Sequence, residues 1–97
     1  MKFEVSRRAR RELERIHRWW IANRDARDLF VRELADAEAH LRTAPEGEVW
    51  RQRGGRVIRR WLLPKTKYHL YYEYQLAEQR LLVVAVWGAA RGSTPRL

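Results

Sequence analysis

The residues best suited to chemistry lie on a predicted strand at residues 67–74, K-Y-H-L-Y-Y-E-Y. Side chains alternate between the two faces of a strand, so one face carries four ionisable groups: Lys67, His69, Tyr71 and Glu73. Acid–base groups flanked by cations can support RNA cleavage without a metal, because the cations stabilise the developing phosphorane. The candidate catalytic residues for that reaction are Arg59, Lys67, His69, Tyr71 and Arg91. The same residue types also fit a solvated sheet face with ordinary cross-strand pairs, so catalysis remains one of two interpretations.

The residue patterns that other kinds of functional site would need are absent from the sequence. Ser6 and Ser93 are the only serines, and neither has a neighbouring His/Asp pattern for nucleophilic catalysis. The three histidines are scattered without ligand spacing and the chain has no cysteine, which argues against a metal site. The pair Gly54-Gly55 precedes a predicted strand rather than a helix, unlike a phosphate-binding loop. We therefore expect neither a metal nor a cofactor.

The excess positive charge lies in the second half of the chain. Residues 1–48 hold 11 basic and 10 acidic residues, whereas residues 49–97 hold 10 and 2, so the second half carries +8 of the net +9. This asymmetry predicts an anionic partner. No segment approaches the 18 apolar residues of a membrane span, and the charged N-terminus lacks the apolar core of a signal peptide. We expect no membrane partner and a cytoplasmic location, which the absence of cysteine also fits.

The elements that must position these residues follow from hydrophobic periodicity. Residues 2–5 alternate as a strand, and Ser6 is a candidate N-cap for a helix over residues 7–23. Asp25 is the candidate cap of a second helix over residues 26–43. Residues 48–55 are interpreted as irregular, and three further strands are predicted at residues 56–63, 67–74 and 80–87.

These elements predict an α+β domain of order β-α-α-β-β-β, a small and mostly antiparallel sheet with an N-terminal helical hairpin on one face. Its 97 residues make one domain, with residues 91–97 as a flexible tail. We assign Arg59 to the open face of the sheet, away from the helices. The last strand is apolar on both faces, yet the hairpin can cover only one, so a partner chain is expected on the other.

The motifs, in this order, resemble a known family. They are W-W-I-A-N-R at 19–24, D-L-F-V-R-E-L at 28–34, A-P-E-G at 44–47, V-I-R-R-W-L-L-P-K-T-K-Y-H-L-Y-Y at 57–72 and V-V-A-V-W-G-A-A-R-G at 83–92. This arrangement resembles the ParE branch of the RelE/ParE toxin superfamily over essentially the whole chain. The resemblance implies the toxin of a type II toxin–antitoxin module, neutralised in a hetero-oligomer with a cognate acidic antitoxin.

The resemblance also implies a choice of target. ParE-like members are associated with poisoning of DNA gyrase, and RelE-like members with cleavage of mRNA on the ribosome. The ribonucleases use a His or Tyr near the C-terminus, whereas only Gly-Ser-Thr-Pro-Arg-Leu follows Arg91 here. Gyrase is therefore the first expectation. The alternatives are a ribosome-dependent mRNA endonuclease and a degenerate, non-toxic member that only binds its partner.

Two surfaces follow from this interpretation. The residues expected to bind the target are Arg59, Lys65, Lys67, Trp87 and Arg91. The residues expected to bind the antitoxin are Leu82, Val84 and Val86 on the last strand, with Arg8 and Arg11 on the first helix.

Overall fold

The computed structural model describes all residues from 1 to 97. Its elements are β1 (Lys2–Val5), α1 (Arg7–Asn23), α2 (Leu29–Thr43), β2 (Glu48–Arg53), β3 (Arg56–Leu63), β4 (Tyr68–Gln75) and β5 (Arg80–Gly88). The five strands form one sheet in the order β1-β5-β4-β3-β2. β1 runs parallel to β5 and every other pair is antiparallel. The predicted α+β class is confirmed, with one strand more than expected.

The additional strand is β2, which occupies residues interpreted as irregular. It pairs with β3 through a tight turn at Gly54-Gly55, and Gly54 takes the left-handed conformation at φ 59° that such a turn requires. Most of its side chains are exposed because it lies at the sheet edge and carries a bulge near Trp50. An edge strand buries neither face fully, so its sequence shows no clean alternation.

The two helices form a hairpin against one face of the sheet. α1 begins as predicted, since the Ser6 side chain accepts a hydrogen bond from the Ala9 amide at 3.1 Å. α2 begins at Leu29 rather than at residue 26, and Asp25 is not its cap. The reason is a tight turn in which the Arg27 amide donates to the Asp25 carbonyl. No helix has the length and apolar character needed to cross a bilayer.

The main core lies between the hairpin and the sheet, and a smaller one lies on the open face. The main core is built around Phe30, Leu41, Leu63, Tyr72 and Val86, all with no solvent exposure. The smaller one consists of Ile58, Tyr71, Val84 and Ala85, with Trp50, Leu82, Trp87 and Leu97 packed against it. The chain therefore supplies its own partial cover for the face that was expected to need a partner.

A bulge in β5 corrects one predicted contact residue. Tyr71 pairs with Ala85 while Tyr72 pairs with Val83, so Val84 is an extra residue in β5. The insertion shifts the alternation, which turns both Val84 and Ala85 to the open face and Val86 to the helices. Val86 is therefore a core residue and presents no surface to an antitoxin.

The N-terminal half of α1, together with its N-cap residue, hydrogen-bonds the part of β5 that β1 leaves unpaired. β1 pairs with β5 only as far as Val83, which leaves backbone groups of β5 free beyond that point. The Ser6 hydroxyl donates to the Val84 carbonyl at 3.4 Å, and the Glu12 carboxylate accepts from the Val86 amide at 2.9 Å. Polar side chains of α1 thus satisfy backbone groups that a longer β1 would have paired.

The C-terminal segment, expected to be a flexible tail, folds back on the domain. Pro95 is fully buried and Leu97 packs on the open-face core. The Ser93 carbonyl accepts a hydrogen bond from the Trp87 indole at 3.1 Å, and the Arg96 carbonyl accepts one from Arg8 at 2.7 Å.

Candidate functional site

The sequence-predicted site residues fall at three separate places. His69 and Tyr71 lie on the open face, whereas Lys67 and Arg91 lie at the end of the sheet beside α1. Arg59 lies elsewhere again, on the helix side of β3, since it alternates with Ile58 and shares its face with Leu63. The predicted set therefore does not converge on a single centre.

The assignment of Arg59 to the open face is wrong. The buried side chain of Leu63 fixes which face of β3 packs under the helices, and Arg59 follows the same phase. Its guanidinium donates to the Gly47 carbonyl at 2.7 Å, beside Tyr72, whose hydroxyl accepts from the Gly47 amide at 3.1 Å. Arg59 thus holds the loop after α2, and Arg60 is the arginine that faces outward.

Ion pairs neutralise much of the positive charge on the open face. The pairs join neighbouring strands: Arg60 with Glu48 at 2.7 Å, Arg56 with Glu73 at 2.7 Å, and Arg80 with Glu4 at 3.3 Å. Because these three arginines have carboxylate partners, this face presents an apolar centre with a mixed-charge rim, in which Arg51 and Arg53 of β2 stay unpaired.

His69 lies on this face beside Tyr71, with 5.9 Å between the ring centroids. Partial burial, and then the nearby charge of Arg60, lower the pKa of His69 below its ordinary value, although Glu48 acts in the opposite direction. The imidazole is therefore neutral near pH 7. A neutral imidazole can accept a proton and so act as a general base. The segment after Arg91 contains no His or Tyr that could act as the general acid.

Free cations gather instead in a cavity of about 640 Å³ at the end of the sheet, called the end cavity below. Arg15, Trp19 and Trp20 line it from α1, and Arg24 lines it from just after α1. Lys67, in the turn before β4, and Arg91, after β5, line it from the sheet. None of its four cations takes part in an ion pair, and no carboxylate lines it. Two of the predicted target-binding residues, Lys67 and Arg91, therefore meet here.

Aromatic rings accompany these cations. Arg91 lies over the Trp87 ring at 4.1 Å from its centroid, and Arg24 lies over the Trp19 ring at 4.7 Å. Trp19 is 43% exposed. The indole nitrogen of Trp20 is buried and has no hydrogen-bond partner within the chain.

The turn that presents Lys67 is held by Glu33 of α2. The Glu33 carboxylate accepts hydrogen bonds from the Lys65 amide, the Thr66 amide and the Thr66 hydroxyl, at 2.8, 2.8 and 2.7 Å. Burial alone would raise the pKa of Glu33, but these hydrogen bonds and the Lys65 charge together hold that pKa below its usual value. Lys67 adopts a left-handed conformation at φ 64°, and its amide bonds the Leu63 carbonyl. The fifth predicted target residue, Lys65, lines a different cavity, beside Asp36.

The residues predicted to bind the antitoxin also lie at separate places, on the open face and on α1. Leu82 and Val84 belong to the open-face core, with Val84 only 6% exposed. Arg8 is paired with Glu12 at 3.4 Å and bonded to the tail, whereas Arg11 is exposed. Arg8 and Arg11 share a groove with Glu12, Glu14 and two further arginines of α1. The four arginines, Arg8, Arg11, Arg15 and Arg18, are called the arginine stripe below.

Sequence reasoning missed several residues of these sites. The missed residues are Arg15, Trp19, Trp20 and Arg24 of the end cavity, Glu33 of the turn and Arg60 of the open face. The adjacent tryptophans carried a signal, because consecutive helical residues point about 100° apart and two bulky rings cannot both enter one core. Glu33 carried another, since it interrupts the apolar face of α2.

Comparison with known proteins identifies the family. The family model described as the ParE toxin of the type II toxin–antitoxin system, parDE, matches residues 3–92. A solved structure described as the chromosomal ParDE TA system from P. aeruginosa has a similar fold, with a TM-score of 0.62, 10% identity, and coverage of 91% of this chain and 95% of the other. No match was found among curated proteins. The chain belongs to the ParE toxin family of type II toxin–antitoxin systems.

Proposed function

We propose that this toxin inhibits growth by poisoning DNA gyrase in the cytoplasm, and that a cognate acidic antitoxin neutralises it by binding. One observation carries the choice of gyrase over RNA. The five residues that a ribonuclease mechanism would need are dispersed, with Arg59 bonded to Gly47 on one face and His69 on the other. A non-catalytic mechanism needs no convergent acid, base and cation, only a binding surface.

The surface proposed for gyrase comprises Lys67, Trp87 and Arg91. These residues lie at one end of the sheet, and the Arg91 guanidinium covers the Trp87 ring. Cationic and aromatic side chains of this kind often dominate binding at protein interfaces. Arg59 and Lys65 are left out because their side chains are directed to Gly47 and to the α2 side.

The antitoxin is proposed to bind the open face at Leu82 and α1 at Arg11. Leu82 is a partly buried apolar residue on an otherwise unpartnered face, and Arg11 is an exposed cation on the arginine stripe. An acidic segment complements the stripe, and an apolar residue beside it complements the open face. We expect a toxin–antitoxin hetero-oligomer.

A supercoiling assay with purified gyrase tests the target. Wild-type toxin is expected to inhibit supercoiling, and Arg91→Ala to require about tenfold more protein, because one hot-spot arginine contributes roughly 1–2 kcal/mol. Arg53→Ala is the matched control: it removes the same charge from an exposed position at the opposite end of the sheet. Full gyrase activity at stoichiometric excess of toxin would contradict the proposal.

A metal-independent ribonuclease is the second candidate, favoured by the lowered pKa of His69 beside Arg60 and Tyr71. Primer extension on mRNA from induced cells tests it. New 5′ ends that disappear in His69→Gln would favour this candidate, whereas an unchanged mRNA pattern during growth arrest would exclude it.

A further inference from the structure

The end cavity carries an inference beyond gyrase binding, because its charged groups are all cations. Arg15, Arg24, Lys67 and Arg91 present only hydrogen-bond donors, and the other polar side chains of the lining are the hydroxyls of Thr66 and Tyr68. A ligand that binds the four cations must therefore bring acceptors. Guanidinium groups bind the oxygens of phosphates and carboxylates in particular, since their planar donors match these anions.

Because no carboxylate lines the end cavity, the cavity favours a phosphate over a peptide segment as its ligand. A peptide segment brings backbone N–H groups that need acceptors once they are buried, and no acidic side chain lines the end cavity to receive them. A phosphodiester brings acceptors only. The volume of about 640 Å³ is within the range of pockets that enclose small ligands and is large enough for a single nucleotide.

An aromatic platform stands next to these cations. Trp19 is 43% exposed and meets Trp20 edge-to-face, with 5.9 Å between the ring centroids. Arg24 lies over both rings, at 4.7 and 5.9 Å from their centroids. Indole and guanidinium planes beside cations are the elements on which unstacked bases bind in single-stranded nucleic acids.

The end cavity also continues into a longer cationic track. Arg15 lines both the end cavity and the groove that contains the arginine stripe. The stripe from Arg8 to Arg18 extends for roughly 15 Å along α1, at 1.5 Å per residue. The groove also contains Glu14 and Glu12, and Glu12 pairs with Arg8, so its unpaired cations are Arg11, Arg15 and Arg18. A strand with one nucleotide in the end cavity can therefore continue along the stripe, with its phosphates facing these three arginines.

We propose that the end cavity and the arginine stripe bind single-stranded nucleic acid, with a base against Trp19 and its phosphate between Lys67 and Arg91. The shared chemistry is a phosphate attached to an unstacked base, which either DNA or RNA supplies. Duplex DNA does not fit the site equally well, because its bases are stacked on one another and expose no face to the indole.

Fluorescence anisotropy with a labelled oligothymidylate and the full-length protein tests the site. Trp19→Ala is expected to weaken binding by about five- to a hundredfold, the usual loss when one stacking side chain is removed, and Trp19→Phe by much less. Arg91→Ala and Lys67→Gly should each reduce the slope of log K against log salt by about 0.7, the value for one phosphate contact with a single strand. Glycine at position 67 suits the left-handed backbone, and Trp19 is exposed, so these variants are expected to fold; circular dichroism checks this.

Arg53→Ala is the matched control, because it removes one charge far from the end cavity and should leave the salt slope unchanged. Equal loss in Arg53→Ala and Arg91→Ala, or no loss in Trp19→Ala, would overturn the proposal by showing unspecific attraction. Binding of an oligoglutamate peptide that is tighter than that of the oligonucleotide and is weakened by Lys67→Gly and Arg91→Ala would overturn it in favour of an acidic peptide in the end cavity. Comparison with oligouridylate identifies DNA or RNA as the better ligand, and a preference for either supports the site.

The assay contains no gyrase, so the two proposals fail separately. A protein that binds the oligonucleotide through Trp19 but leaves supercoiling unaffected contradicts only the proposed function. A protein that inhibits gyrase without binding the oligonucleotide contradicts only this site.

Discussion

Replacing Glu33 by glutamine should lower the free energy of unfolding by about 2–3 kcal/mol near pH 7. Glu33 is 6% exposed, and its two carboxylate oxygens accept three hydrogen bonds from Lys65 and Thr66. Glutamine has one acceptor oxygen. If that oxygen keeps the two bonds from Thr66, the amide nitrogen faces the Lys65 N–H donor to donor. The variant thus loses one charge-assisted hydrogen bond, weakens two others and leaves a backbone N–H without a partner.

Glu38→Gln is the control on the same helix. Glu38 is 45% exposed and pairs with Arg42 at 3.0 Å, a type of surface pair whose loss costs about 0.5 kcal/mol or less. Urea denaturation measures both variants, and the dependence on urea concentration should match wild type, since the surface exposed on unfolding is the same. For a domain of this size the loss in Glu33→Gln corresponds to a melting temperature lower by roughly 10–20 °C.

The effect should depend on pH with a defined sign. The pKa of Glu33 is lowered in the folded state, so its contribution to stability is fully present above the unfolded pKa, near 4.5. That contribution is lost as the pH falls through the folded pKa. The stability gap between wild type and Glu33→Gln should therefore be largest near neutral pH and narrow in acid. A loss within about 0.5 kcal/mol of the control at pH 7, or a gap that does not narrow in acid, would refute this account.

Three further predictions concern stability and are measured by the same urea titration. Glu12→Ala should destabilise by about 1–3 kcal/mol, because it leaves the Val86 amide unpaired; a change below 0.5 kcal/mol would contradict that role. Tyr72→Phe should cost about 1–3 kcal/mol, because the hydroxyl accepts from the Gly47 amide and donates to the Pro45 carbonyl; unchanged stability would show that water replaces the hydroxyl. Lys67→Gly should stabilise by about 0.5–1 kcal/mol, because glycine accepts φ 64° without strain; destabilisation would mean that the lysine side chain supports the turn.

The fold was largely predictable because most elements bury one face. The bounds predicted for β1, α1 and β3 agree with the structure, since each alternates or repeats with the period of its element. β2 was missed because the residues of an exposed edge strand show no such hydrophobic alternation. The start of α2 was placed three residues early, because Asp25 has the residue type of a cap while the backbone turns there instead.

The site was less predictable because its geometry depends on phase and on long-range neighbours. One extra residue at Val84 reverses the faces of everything after it in β5, and the sequence L-L-V-V-A-V-W gives no sign of it. Arg59 and Arg60 are adjacent and identical in type, so only the packing of Leu63 decides which of them faces outward. Glu33 is anchored to a turn more than thirty residues away, a contact that no local pattern contains.

The charge asymmetry shows most clearly that long-range contacts, which the sequence does not reveal, determine the site. The second half of the chain carries +8 of the +9 net charge, which predicted an anionic partner for that half. Folding pairs Arg56, Arg60 and Arg80 with carboxylates, two of which, Glu48 and Glu4, come from the nearly neutral first half. The same half supplies arginines of the end cavity that have no acidic partner. The positive charge available to a partner is therefore set by which cations remain unpaired after folding, and four of these, Arg15, Arg24, Lys67 and Arg91, lie together where α1 meets the end of the sheet.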